Sequence, residues 1–214
     1  FFGSLGRHGC EAMALAKLRG EWAMEKTNAL LIGSYVDAHF EGSLDLFKAQ
    51  NSEIFLKNGE LKAEFRKANE IITKIEEDPI FMLYMSGEKQ TIFTGEIGGV
   101  PFKVTIDSYH KDRMLVDGKV MASISKFEWV KDFGKVNFAE YWGYDIQAAI
   151  YQEIVRQNTG AALPFFIAAA SKEKVTDKEI IWVPTDLMND RLIEVEENMA
   201  KLKALKSGEI EPVR

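Results

Sequence analysis

The chain has 214 residues, 46% of them hydrophobic and 11% aromatic, enough for a sizeable core and too apolar for a disordered or fibrous protein. Its 27 Lys and Arg against 33 Asp and Glu give a net charge of −6, which excludes holding nucleic acid or an anionic membrane through bulk positive charge. The single cysteine, Cys10, excludes an internal disulfide framework and any metal site built from several thiolates.

A reducing, cytoplasmic setting is expected. The longest apolar run, Pro164 to Ala170, is far short of a membrane span, and Phe1-Phe2-Gly3-Ser4 lacks a basic or long apolar leader. Residues 9–31 carry Met13, Leu15, Leu18 and Trp22 at near-helical spacing, and the reading is two helices with a break at Gly33. After the Asn58-Gly59 turn, Leu61, Phe65, Ala68, Ile72 and Ile75 mark an amphipathic helix that Asp78-Pro79 ends. Strands are predicted at Gln90 to Ile97 and Val100 to Ile106, joined by Gly98-Gly99, and at Arg113 to Ser123. A helix through Phe138, Tyr144 and Val155, strands at Phe165 to Ala170 and Ile180 to Val183, and a charged helix to about Lys206 complete an α+β order.

The chemistry concentrates in Ile106-Asp107 and Asp117-Gly118-Lys119, with the two acids ten residues apart. On a strand Asp117 and Lys119 share a face. Two facing carboxylates repel unless a cation lies between them, and hard oxygen ligands suit Mg²⁺, with Mn²⁺ as the alternative. An isolated Asp-x-Lys is more often a pair of solvated charges. In the following helix Gln147 and Tyr151 stand at i and i+4, with Tyr144 one turn earlier; core packing is the plainer reading for Tyr144, less so for Gln147. His39 fits a hydrogen-bonded core histidine or a ligand. Glu96 is a strand-end carboxylate that could join a metal shell through water. Between Lys103 and Lys135 seven Lys and Arg face five acids, a local +2 against −8 elsewhere.

Together these residues resemble the PD-(D/E)XK nuclease superfamily, and within it the phage-type exonucleases similar to exodeoxyribonuclease VIII, with lambda exonuclease more distant. The resemblance rests on Cys10-Glu11-Ala12, on Leu31 to Gly42, on Ile106-Asp107, on Asp117-Gly118-Lys119 and on Gln147-x-x-x-Tyr151. It implies a restriction-endonuclease-like α+β (α/β) core, a central mixed sheet flanked by helices, in one domain over 1–214. Within it, residues 1–88 are expected to be mainly helical, 89–184 to form the catalytic core and 185–206 to form a C-terminal helix. The resemblance further implies Mg²⁺-dependent 5′-to-3′ digestion of double-stranded DNA ends, with Asp107 and Asp117 holding metal, Lys119 as the active-site lysine, His39 as a further ligand, and Gln147 with Tyr151 contacting DNA. Homo-oligomers and a single-strand annealing partner go with that branch. An endonuclease on the same core, or a non-catalytic DNA-binding module, are the alternatives. Gly118 departs from the apolar residue usual inside the acid-x-lysine motif and loosens the strand there.

Overall fold

The computed structural model describes residues 10–23, 25–131 and 133–213. Helix α1 (Glu11–Arg19) ends at Gly20, whose φ of 72° is open chiefly to glycine. Helix α2 (Asn28–Phe40) starts where the Thr27 hydroxyl accepts from Leu30 N–H. The break expected at Gly33 therefore lies at Gly20, and α2 runs through Gly33: φ is ordinary there, and Tyr35, Val36 and Ala38 bury the face that holds the turn in place. Helix α3 (Leu44–Gln50), which the sequence reading lacked, leads to α4 (Ala63–Glu76) and α5 (Pro79–Tyr84). In α4, Phe65, Ala68, Ile71, Ile72 and Ile75 form the buried stripe, as the spacing predicts. The Asp78 carboxylate caps α5, with Pro79 in its first turn.

Strands β1 (Glu88–Ile97) and β2 (Val100–His110) form a hairpin turned by Gly98 and Gly99, both at positive φ. Strand β3 (Met114–Met121) follows antiparallel. A small hairpin of β4 (Glu128–Val130) and β5 (Gly134–Val136), absent from the sequence reading, precedes α6 (Phe138–Trp142) and α7 (Tyr144–Thr159). The helix expected from Phe138 onward is thus two, divided at Gly143 in the left-handed region. Strand β6 (Phe165–Ser171) returns parallel to β3, as a helical crossover requires, and β7 (Lys178–Val183) and α8 (Thr185–Ser207) close the fold.

The main sheet is mixed, in the order β1-β2-β3-β6-β7. One face packs on α7 and α8 through Ile106, Leu115, Ile154, Ile167 and Met199. The other packs on α2, α4 and α5 through Val116, Ala168, Ala170, Tyr35 and Ile71. The stripe of Val195, Met199 and Leu202 on α8 is consumed by the chain's own core. Alternation along β3 follows: Leu115 and Met121 join the α7 layer, which places Asp117 and Lys119 on that side, while Val116 and Val120 join the α2 layer. Among the described residues no helix is long and apolar enough to cross a membrane.

Candidate active site

The site forms where the sheet comes apart. Paired residues of β2 and β3 run from His110 and Met114 to Ser108 and Val116, and stop. One step further the register would set Asp107 against Asp117. Instead the Asp107 Oδ2 accepts from the Gly118 N–H at 3.0 Å, so a carboxylate takes the place of a ladder carbonyl and the strands splay around two acids. On its other edge β3 stays paired with β6 through Asp117, Gly118 and Lys119, which fixes the strand that bears the motif.

Each acid is held by a neutral amide. Gln147 Nε2, in the second turn of α7, donates to Asp117 Oδ1 at 2.9 Å, and the Lys119 ammonium pairs with Asp117 Oδ2. Lys119 Nζ also lies 5.0 Å from the centre of the Tyr144 ring, a cation–π contact that fixes its direction. Gln90 Nε2 donates to Asp107 Oδ1 at 3.1 Å and to Glu41 Oε1 at 2.8 Å. Gln90 has φ of 51°, rare for a residue with a side chain, and it interrupts the β1–β2 register between Lys89 and Thr91. The backbone strain is spent at the point that joins β1, β2 and α2.

Burial drives the charges of the cluster. The Asp117 carboxyl, 3% exposed, is pushed up from 3.8 to about 6, first by desolvation; Lys119 opposes, and the nearby Asp107 charge adds. Desolvation works against the Lys119 ammonium, but Asp117 and Asp107 outweigh it and hold its pKa above the usual lysine value. An isolated ion pair would lower the acid while raising the base. Both rise here because burial and a second carboxylate bear on Asp117. Asp37, from α2, is pushed up to about 7, by desolvation and then by Asp107, with Asp117 and Glu41 adding and Lys119 opposing. Its side chain is open to solvent, so protein surrounds it as the wall of a cleft rather than as a closed interior.

Asp107, Asp117, Lys119 and Gln147 thus come together. Tyr151 lies one turn beyond Gln147 and has its phenol pKa raised, first by burial. His39 does not join them: its Nε2 is 2.8 Å from Glu76 Oε1 on α4. Asp37 and Glu41, at i and i+4, point along another face of the same helix. Glu96 is also elsewhere, six residues from Gln90 and so about 20 Å along β1, with its backbone bonded to the Gln157 amide. Asp37, Glu41 and Gln90 were missed by the sequence reading; the i, i+4 acid pair is the signal that could have found the first two.

Among the described residues no three His, Cys, Asp or Glu side chains form a ready-made coordination shell, since protein donors take up the Asp107 and Asp117 oxygens. The donor set still fits a hard divalent cation. Burial first, and then the mutual repulsion of carboxylates from α2, β2 and β3, raises two of their pKa values, and a small dication relieves that repulsion.

A mixed sheet between two helical layers, opened at an acid and an acid-x-lysine on neighbouring strands, defines a domain of the PD-(D/E)XK type. The chain belongs to the family of PDDEXK-like domains of unknown function (DUF3799), whose profile matches residues 3–214. It is similar to a Eubacterium rectale protein named "Putative exonuclease", known from a crystal structure, with 53% identity and a TM-score of 0.95 over 100% of this chain and 81% of that one. A search of the curated proteins finds no match.

Proposed function

We propose that this chain is a Mg²⁺-dependent exonuclease that hydrolyses phosphodiester bonds from the ends of double-stranded DNA. The observation that carries this reading is the opened β2–β3 ladder, with Asp107, Asp117 and Lys119 at one point and Asp37 facing them. The named exonuclease of similar fold supports it. The 5′-to-3′ direction, a role in phage-type recombination and a two-metal centre rest on the sequence resemblance to the exodeoxyribonuclease VIII branch.

Asp107 and Asp117 are the residues that would hold the ions, with Asp37 completing the set, and the bound ions would polarise the phosphate and lower the pKa of water. The chain's own groups do the rest. Gln147 and Gln90 fix the carboxylate planes. Lys119, steered by Tyr144, supplies a fixed positive charge toward the scissile phosphate and the attacking water. Asp37 and Asp117, whose carboxyls burial raises to about 7 and about 6, would have to be ionised to hold a cation, so binding would release protons near neutral pH.

The test is digestion of linear duplex DNA labelled at either the 5′ or the 3′ end, with Mg²⁺, with EDTA, and with Lys119→Ala, beside a covalently closed circle. The reading expects metal-dependent loss from the 5′ end, abolished in the variant and absent on circles. Cutting of circles would make the protein an endonuclease. Binding with no cleavage under Mg²⁺ or Mn²⁺ would refute catalysis.

A further inference from the structure

The β4–β5 hairpin carries an exposed face that the site chemistry does not use. Trp129 and Lys135 stand directly opposite each other in its register, and the Lys135 Nζ lies 4.4 Å from the centre of the Phe127 ring. Val130 and Val136, of opposite parity, are buried beneath, so Phe127, Trp129 and Lys135 share the outer face. Trp129 is 79% exposed, and Phe127 and Phe133 are 53% exposed. Lys131 stands exposed with Phe133 at the hairpin tip. Of the local acids, Glu128 is paired with Lys126 at 2.6 Å.

Exposed aromatic rings are costly on a face that meets only water, and this ribbon is anchored through its opposite face, by buried Val130 and Val136. Rings alternating with lysines match a nucleic-acid strand, with planar faces for bases and ammonium groups for phosphates. The occupant is single-stranded, because bases inside a duplex are already stacked and present no face to a tryptophan. Placement agrees. In the chain the hairpin lies between β3, which carries Asp117 and Lys119, and α7, which carries Tyr144 and Gln147; in space β4 packs against α6, whose last residue is the exposed Trp142.

We propose that the outer face of the β4–β5 hairpin is a stacking platform for single-stranded DNA, with Trp129 as its central ring and Lys131 and Lys135 on the phosphates. It rests on the nuclease reading for its purpose, since digestion of one strand of a duplex leaves the other single and in need of a path away from the cleft. The binding itself needs no catalysis.

The test measures anisotropy of fluorescein-labelled oligo(dT)20 on the full chain in EDTA. Trp129→Ala is expected to weaken binding about tenfold or more, and Trp129→Phe to recover most of it. Lys131→Ala with Lys135→Ala should reduce the slope of log affinity against log salt by about 1.4. Hydrolysis of thymidine 5′-(p-nitrophenyl phosphate) with Mn²⁺, a substrate too short to reach the hairpin, should be unchanged in Trp129→Ala. Equal oligo(dT)20 affinity for wild type and Trp129→Ala would overturn the platform, as would failure of the wild type to bind the single strand. A wild-type dimer made monomeric by Trp129→Ala, with oligo(dT)20 binding unaltered, would give the face to a second copy and overturn it too. Trp129-dependent binding without hydrolysis of any substrate would uphold the platform while refuting the nuclease reading.

Discussion

Metal-free protein should lose stability as pH rises through the acid range, and Asp117→Asn should remove much of that loss. The folded-state pKa of Asp117 is raised, from 3.8 to about 6, with burial as the first cause. A carboxyl shifted upward binds its proton more tightly folded than unfolded, so its contribution is full below about pH 4 and lost as pH climbs through 6. The shift is a little over two units, or roughly 3 kcal/mol at most. For a chain of this size each kcal/mol moves Tm by about 2–4 °C, so the effect approaches about 6–12 °C. Asn keeps the oxygen that accepts from Gln147 and never ionises, and it removes one of the charges that lift Asp37. The assay is thermal unfolding of wild type and Asp117→Asn in EDTA from pH 4 to 8. The Tm of the variant minus that of wild type should grow between pH 4 and about 7 and then level off. Saturating Mg²⁺ should raise the wild-type Tm most at the high-pH end, where the carboxylates are ionised. A difference independent of pH would refute the idea that burial and Asp107 hold Asp117 in its protonated form.

Three further outcomes follow from other contacts. Lys119→Met should lower cleavage at least about a hundredfold, since it removes a fixed charge from the site, while a duplex-binding assay in Ca²⁺ changes little; retained cleavage would remove Lys119 from the chemistry. Gly118→Ala should stabilise by about 0.5 kcal/mol in urea titrations, because alanine constrains the unfolded chain; its Cβ would be in ordinary contact with Asp107 Oδ2 at 3.8 Å but crowd the terminal methyl of Met85 at 3.3 Å, which has to move aside. The methyl ends a flexible side chain and can yield; a loss above about 1 kcal/mol would show that it cannot. Arg191→Met should cost about 3–5 kcal/mol, because Arg191 Nε lies 2.6 Å from the buried Asp145 carboxylate and its loss leaves that charge without its cation. A Tm within about 2 °C of wild type would mean water replaces the guanidinium.

The sheet and its helices were legible in the sequence wherever one face is buried against another layer. Phe65, Ala68, Ile72 and Ile75 repeat at helical steps because α4 packs along one stripe. Gly98-Gly99 announced the β1–β2 turn because the turn needs positive φ at both residues. Elements with little burial were not legible: α3 has no residue fully buried, and β4 and β5 are three residues each, with one buried valine apiece. Gly33 misled because a glycine inside a helix looks like a stop until packing is known. Tyr35, Val36 and Ala38, buried just beyond it, outweigh about 1 kcal/mol of lost helix propensity.

The candidate site divides along the same line. Asp107, Asp117 and Lys119 were legible because a strand fixes the direction of every second side chain, and Gln147 because an amide on an inward face needs a partner, which Asp117 supplies. His39 and Asp37 sit two residues apart on α2, and on a helix two residues are about 200° of rotation. Which of them meets β2 and β3 depends on the roll of α2 against the sheet. That roll is set by Leu31, Tyr35 and Val36 packing on the layer of Phe65 and Ile71, contacts distant in the chain. Packing turns Asp37 and Glu41 toward Asp107 and leaves His39 to Glu76. Gln90 was beyond sequence reasoning for a related reason. Its positive φ is tolerated because the amide closes two hydrogen bonds, to Glu41 and Asp107, and neither partner is a neighbour until the fold has formed. The local sequence thus specifies the acids on the strands, while the third carboxylate and the amide that steadies Asp107 are specified by how α2 docks.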